Sequence, residues 1–155
     1  MKHNLLTLAV LVVALFLSAP GAFGQGAAKT GPDPSLVRDA ELEKDSNHDL
    51  EVARHYFKLK KAYVAALRRC EIIDVSNPTF AKMDEVLFIA GQTSLLLAEN
   101  KGKQKSTKTP EQLRLDARVY LSRLVAGYPN SSFFKQAETD LQELGGPITP
   151  EPSKQ

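Results

Sequence analysis

Residues 62–78 read AYVAALRRCEIIDVSNP, and this stretch indicates how the rest of the chain folds. Its apolar side chains recur three and four residues apart, which is the spacing of one face of an α-helix. The stripe consists of Ala62, Tyr63, Ala66, Leu67, Cys70 and Ile73. The helix should end before Asn77-Pro78, because the residue ahead of a proline is pushed out of helical geometry. We therefore predict an amphipathic helix with one buried face.

The same spacing recurs on both sides of this stretch. A weakly apolar helix can begin at Pro34 with Asp33 as its N-cap, and another should follow around Leu50, Ala53 and Tyr56. Beyond Pro78 we predict three further helices, at about 79–99, 110–127 and 131–144. No segment shows the sustained apolar–polar alternation of a strand. The sequence therefore predicts an all-α fold.

An internal repeat relates two of these helices. Twelve residues separate Ala66 from Pro78, and twelve separate Ala117 from Pro129. A small alanine lets two helices of a hairpin approach closely, and the proline ends the helix before the next hairpin begins. The two prolines are 51 residues apart, longer than a tetratricopeptide repeat. We predict about two and a half tetratricopeptide-like hairpins over residues 35–145.

A lysine-rich segment, residues 101–109, accounts for part of the extra length. Its first eight residues contain four lysines and no apolar residue, so we predict a solvated loop; contact with phosphate headgroups is the alternative. Thr109 followed by Pro110 should start the next helix, with the threonine as its N-cap.

The two ends of the chain have different compositions. A short basic head and an apolar run from Leu5 to Leu17 predict a signal peptide over residues 1–24, with cleavage before Gln25; a retained membrane anchor is the alternative. We expect a flexible leader over 25–34 and a disordered tail over 146–155. The single cysteine, Cys70, lies far from the predicted cleavage site, where a lipoprotein carries the cysteine that receives its lipid. Residues 1–24 thus predict export, and we expect the mature chain to be soluble.

The charge and the candidate site residues do not predict catalysis or nucleic-acid binding. The formal net charge is +2, or +1 after the predicted cleavage, so we expect no nucleic-acid partner. Asp45 and Asp49 open a calcium-loop spacing, but the required glycine and final glutamate are replaced by Leu50 and Tyr56. Cys70 lies on the apolar stripe and should be a core residue. We therefore expect no catalytic residue, cofactor or metal site.

A resemblance to a known family rests on a longer block. Residues 52–69 read VARHYFKLKKAYVAALRR and resemble the later repeats of BamD-like outer-membrane assembly lipoproteins. Gly91 falls where those repeats carry a helix glycine, and residues 128–131 match their YPNS turn. The chain departs from the family in lacking the lipid-bearing cysteine and the early repeats. It also has Lys61 in place of the glycine of their RGAY turn.

The resemblance implies a non-enzymatic periplasmic scaffold that binds outer-membrane assembly components. A generic periplasmic tetratricopeptide-like adaptor in envelope or cell-wall organisation is the alternative. Tyrosine and arginine carry much of the binding energy at protein interfaces, so the protein-binding candidates are Tyr56, Tyr63, Arg68 and Arg69. Because so short an array leaves a hairpin face uncovered, we also expect either self-association or a partner on that face.

Overall fold

The computed structural model describes residues 39–148. The predicted signal peptide, the flexible leader and the last part of the predicted tail lie outside the described residues, as do Asp33 and Pro34. The described part contains five α-helices and no strand. The helices are α1 (Ala40–His55), α2 (Tyr63–Ser76), α3 (Met83–Ala98), α4 (Pro110–Gly127) and α5 (Phe134–Glu143). This confirms the all-α prediction.

Consecutive helices pack against each other in chain order, from α1 to α5. Helix α3 lies in the middle, between α2 and α4, and also touches α1. Ten of its sixteen residues are buried, so it lacks the polar outer face of a surface helix. Gly91 lets α4 come close, because a Cβ there would lie 2.6 Å from Leu121 Cδ2.

The first described helix differs from the prediction of two separate helices before Tyr63. Asp39 is the N-cap of α1, and its carboxylate accepts hydrogen bonds from the backbone N–H groups of Glu41 and Leu42. From Ala40 the helix then runs without a break to His55. The weakly apolar positions Ala40 and Leu42 therefore belong to the same helix as Leu50 and Ala53, with no helix end between them.

A single π-helical turn, Tyr56–Lys60, connects α1 to the reversal before α2. Lys61 follows with φ of +51°, and the Ala62 N–H donates to the Tyr56 carbonyl at 3.0 Å. Glycine would adopt this left-handed backbone without the steric cost that a side chain adds.

The two proline turns repeat the same backbone geometry 51 residues apart. Asn77 has φ/ψ of −141°/71°, and Tyr128 has −133°/62°. Each donates its N–H four residues back, and each accepts from the N–H three residues ahead. The matched bonds are Asn77 to Ile73 and Tyr128 to Leu124, then Phe80 to Asn77 and Ser131 to Tyr128. Ala66 and Ala117 are both fully buried, so the two segments match in burial as well as in turn geometry.

The beginning of the predicted disordered tail is held against α4. Arg118 donates to the carbonyls of Gly145 and Gly146, at 2.9 and 2.5 Å, and the Ile148 N–H donates to Ser122 Oγ at 3.0 Å. Residues 146–148, at the start of the predicted tail, thus contact α4 through hydrogen bonds. Two glycines with positive φ bend the chain back to these donors.

Candidate protein-binding surface

Tyr63, one of the four predicted contact residues, lies in the core. Its side chain is buried, its ring tilts against Phe57 at a centroid distance of 6.1 Å, and Gly102 covers it from the lysine-rich loop. A Cβ at Gly102 would lie 2.6 Å from Tyr63 Cδ2. Tyr63 therefore positions the loop, and a partner has no access to it in this fold.

Arg69 and Tyr56 also have structural contacts of their own. The Arg69 guanidinium donates to Asp49 Oδ1 at 2.8 Å, so it ties α2 to α1. Tyr56 is half-buried and meets the His55 ring edge-on, with centroids 6.2 Å apart. Changing Arg69 to glutamate would set two carboxylates against each other. Such a variant would test the α1–α2 contact as much as any binding.

Arg68 is the candidate that the structure leaves exposed, and it forms no ion pair among residues 39–148. It lines a shallow groove of about 410 Å³ along the side of α2 that faces away from the core. We call this surface the outer α2 face; it consists of Arg68, Glu71, Ile72, Val75 and Ser76.

Two apolar side chains dominate the outer α2 face. Val75 is 85% exposed and Ile72 is 40% exposed, one turn apart. Exposed aliphatic residues are ordinary when single, but a contiguous pair in a groove rimmed by charge is typical of an interaction site. The sequence carried a signal for it, since positions 68, 72 and 75 share a face on which the core stripe does not lie. Sequence reasoning missed Ile72 and Val75 because it followed only the longer stripe.

Ion pairs to α4 hold one edge of the outer α2 face in place. Arg123 makes two parallel bonds to the Asp74 carboxylate, at 2.6 and 2.7 Å. Lys108 contacts Asp116 at 2.8 Å and Glu71 at 3.4 Å, which makes it a structural lysine of the loop. Hydrogen bonding to these carboxylates raises the pKa of both Arg123 and Lys108. The groove edge is therefore built from two helices and a loop.

Further contacts join α3 to α1 and to the residue that precedes α5. Arg54 binds the Glu85 carboxylate through two bonds, at 2.5 and 2.6 Å. The hydrogen bond from Arg54 lowers the pKa of Glu85 against the opposing effect of burial. Phe88 and Phe133 stack with centroids 4.6 Å apart.

The described core holds one buried thiol and two buried hydroxyls. Burial raises the pKa of the Cys70 thiol to about 12, so it stays protonated at neutral pH. The hydroxyls of Thr93 and Ser94 are buried in α3 without hydrogen-bond partners. Within residues 39–148 no group of three His, Cys, Asp or Glu side chains is placed to hold a metal ion. In that same part of the chain, no helix combines the length and apolar character needed to cross a bilayer.

Comparisons with known proteins return no relative: no protein-family profile, no curated protein and no solved structure matches the chain.

Proposed function

We propose that the chain is a periplasmic protein-binding scaffold of tetratricopeptide-like hairpins, and that its partner docks on the outer α2 face. The observation that carries this proposal is the exposure of Val75 and Ile72 in a groove beside Arg68, which has no ion pair within residues 39–148. Burying two such side chains against a partner contributes roughly 1.5–3 kcal/mol each when burial is complete. A groove this shallow suits a protein surface better than a small substrate.

The hairpin assignment is supported by the geometry of the repeat. α1 with α2 and α3 with α4 form two hairpins, and α5 follows as half of a third. The turns at Asn77 and Tyr128 share backbone angles and hydrogen bonds, and the close contact at Gly91 lies inside the second hairpin. Stacked hairpins of this kind recognise extended segments or helices of other proteins.

The chemistry of the groove defines the kind of partner. An amphipathic helix fits best, with aliphatic residues against Ile72 and Val75 and an acidic residue near Arg68. Arginine is suited to this contact because its planar guanidinium binds a carboxylate through two hydrogen bonds. The resemblance of residues 52–69 to BamD-like repeats favours a partner among the components of outer-membrane β-barrel assembly.

Affinity purification of the tagged chain from the cell envelope tests the proposal. The informative variants are Val75→Asp and Arg68→Glu. Leu115→Asp is the matched control, because Leu115 on α4 is also exposed (55%) and lies outside the groove. Recovery of β-barrel assembly proteins by the wild type and the control, with loss in both groove variants, is the expected result.

Other outcomes would change the assignment in a defined way. Specific recovery of cell-wall enzymes through the same groove would replace the assembly role with that of a cell-wall adaptor. Equal recovery by all four proteins, each verified to be folded by circular dichroism, would move the binding site away from the outer α2 face.

A further inference from the structure

The structure brings two lysine-rich segments together at the end of the bundle where α2 begins. The Lys103 N–H donates to the Lys61 carbonyl at 3.4 Å, and Gly102 packs on the Tyr63 ring. The predicted solvated loop is therefore anchored to the α1–α2 turn. We call the combined surface, residues 58–61 and 101–105, the lysine end.

Charge is distributed very unevenly over the described residues. The two segments at the lysine end contain six lysines and no acidic residue, and Glu99, which pairs with Lys101 at 2.6 Å, is the acidic side chain next to them. Apart from these segments and Glu99, residues 39–148 carry ten lysine or arginine and fifteen acidic side chains. Within residues 39–148, the salt bridge that involves these lysines is the Lys101–Glu99 pair. A chain of almost no net charge thus presents a concentrated positive field at one end.

An apolar side chain projects from the middle of this positive surface. Leu59 is 72% exposed and stands between Lys58 and Lys60 in the π-helical turn. The left-handed Lys61 reverses the chain immediately afterwards, so the turn forms a tip. An acidic polymer in solution would use the lysines alone and leave Leu59 in water. A bilayer uses both, since lysines bind its phosphates while an apolar side chain enters the acyl boundary.

We propose that the lysine end docks on the surface of a bilayer containing anionic phospholipids, with Leu59 inserted at the level of the headgroups. The lysine stems extend along the interface and their ammonium groups reach the phosphates. This inference is independent of the outer α2 face, since Val75 lies about 18 Å further along α2 than Tyr63. A protein partner and a bilayer can therefore be bound together.

A site-specific fluorescence experiment tests the proposal, since the chain contains no tryptophan. Leu59→Trp supplies one reporter at the tip, and Val75→Trp supplies a matched reporter at an exposed site near the other end of α2. The probes are vesicles of phosphatidylcholine with and without phosphatidylglycerol. Only Leu59→Trp with phosphatidylglycerol should shift its emission to the blue and be quenched by brominated lipid.

Charge variants in the Leu59→Trp background measure the role of the lysines. Replacing Lys60 and Lys103 by glutamine should lower the partition coefficient about 25-fold, at roughly fivefold per lysine. Lys44 and Lys135 are exposed lysines at the opposite end. Replacing them by glutamine removes the same charge and should change the partition coefficient little. Added salt should weaken the wild-type binding.

Three results would overturn the proposal. In the first, the Leu59→Trp variant keeps the emission of an exposed indole when phosphatidylglycerol vesicles are added. Another is an equal effect of the two double glutamine variants. The third is that soluble polyglutamate binds the protein in a salt-sensitive way and displaces it from vesicles, while the emission of Leu59→Trp stays unchanged. That result would assign the lysine end to acidic polymers.

Discussion

Gly91 of α3 and Leu121 of α4 leave no space between them, since a Cβ on Gly91 would lie 2.6 Å from Cδ2 and 2.7 Å from Cγ of Leu121. Leu121 is fully buried, so its side chain has no free volume into which it could move. The closest approach between α3 and α4 thus depends on the absence of one methyl group.

Gly91→Ala should therefore lower the free energy of unfolding. Overpacking a core costs about 1–3 kcal/mol, of which the better helix propensity of alanine offsets about 1 kcal/mol. Denaturant unfolding followed by circular dichroism measures the difference. Gly127→Ala is the control, since no atom lies within 4 Å of the added Cβ, and it should be neutral or slightly stabilising. A Gly91→Ala variant more stable than the wild type would show that the two helices are not in tight contact.

Lys61→Gly should stabilise the fold by about 1 kcal/mol. The left-handed backbone at +51° costs a side-chain-bearing residue roughly 1–2 kcal/mol, which glycine avoids at some entropic expense in the unfolded chain. Lys60→Gly, one residue earlier and inside the π-helical turn, should destabilise it instead. Thermal melts of the two variants beside the wild type give the comparison, and opposite signs are the expected outcome.

The Arg54–Glu85 pair predicts a pH-dependent contribution to stability. Because the folded-state pKa of Glu85 lies below its ordinary value of about 4.3, the contribution is complete above that value and disappears as the pH falls through the folded pKa. At pH 7 Glu85→Gln should cost about 1 kcal/mol, since Arg54 keeps some access to water.

Urea unfolding between pH 7 and pH 3 checks this sign. The gap between wild type and Glu85→Gln should close at low pH, because protonated glutamate and glutamine are then similar partners for Arg54. Glu138→Gln, at an exposed position on α5, should leave no gap at either end of the range. A gap that stayed constant with pH would exclude a charge-dependent bond.

Cys70 should react with thiol reagents only after unfolding. The thiol is 1% exposed and its pKa is raised to about 12, so both access and thiolate concentration are low in the folded chain. Maleimide labelling at neutral pH, with and without guanidinium chloride, measures the protection by mass spectrometry. Rapid labelling of the folded protein would place Cys70 outside the core.

Local patterns were sufficient to predict most of the helices. The three-and-four spacing around Ala66 and Ala117, and the prolines at 78 and 129, indicated α2, α4 and the turns that follow them. Thr109 was predicted as an N-cap, and its hydroxyl does accept from the Gln112 N–H within a capping box. Each of these signals depends on residues within a few positions of each other.

The binding surface was less predictable because burial depends on distant segments. Tyr63 looked like a contact residue, yet it is covered by Gly102, which lies 39 residues further along the chain. Arg69 looked free, but Asp49 reaches it from the neighbouring helix. The sequence around Val75 does not reveal that its side chain stays 85% exposed within residues 39–148.

In the proposed hairpin arrangement, the spacing of 51 residues relates α3 to α5. Leu87 and Gly91 of α3 are buried toward α4, and the positions 51 residues later in α5 are Glu138 and Gln142, both exposed. The face of α3 that receives α4 thus corresponds to a solvated surface in α5, and a helix packed there would have to bury a carboxylate and an amide.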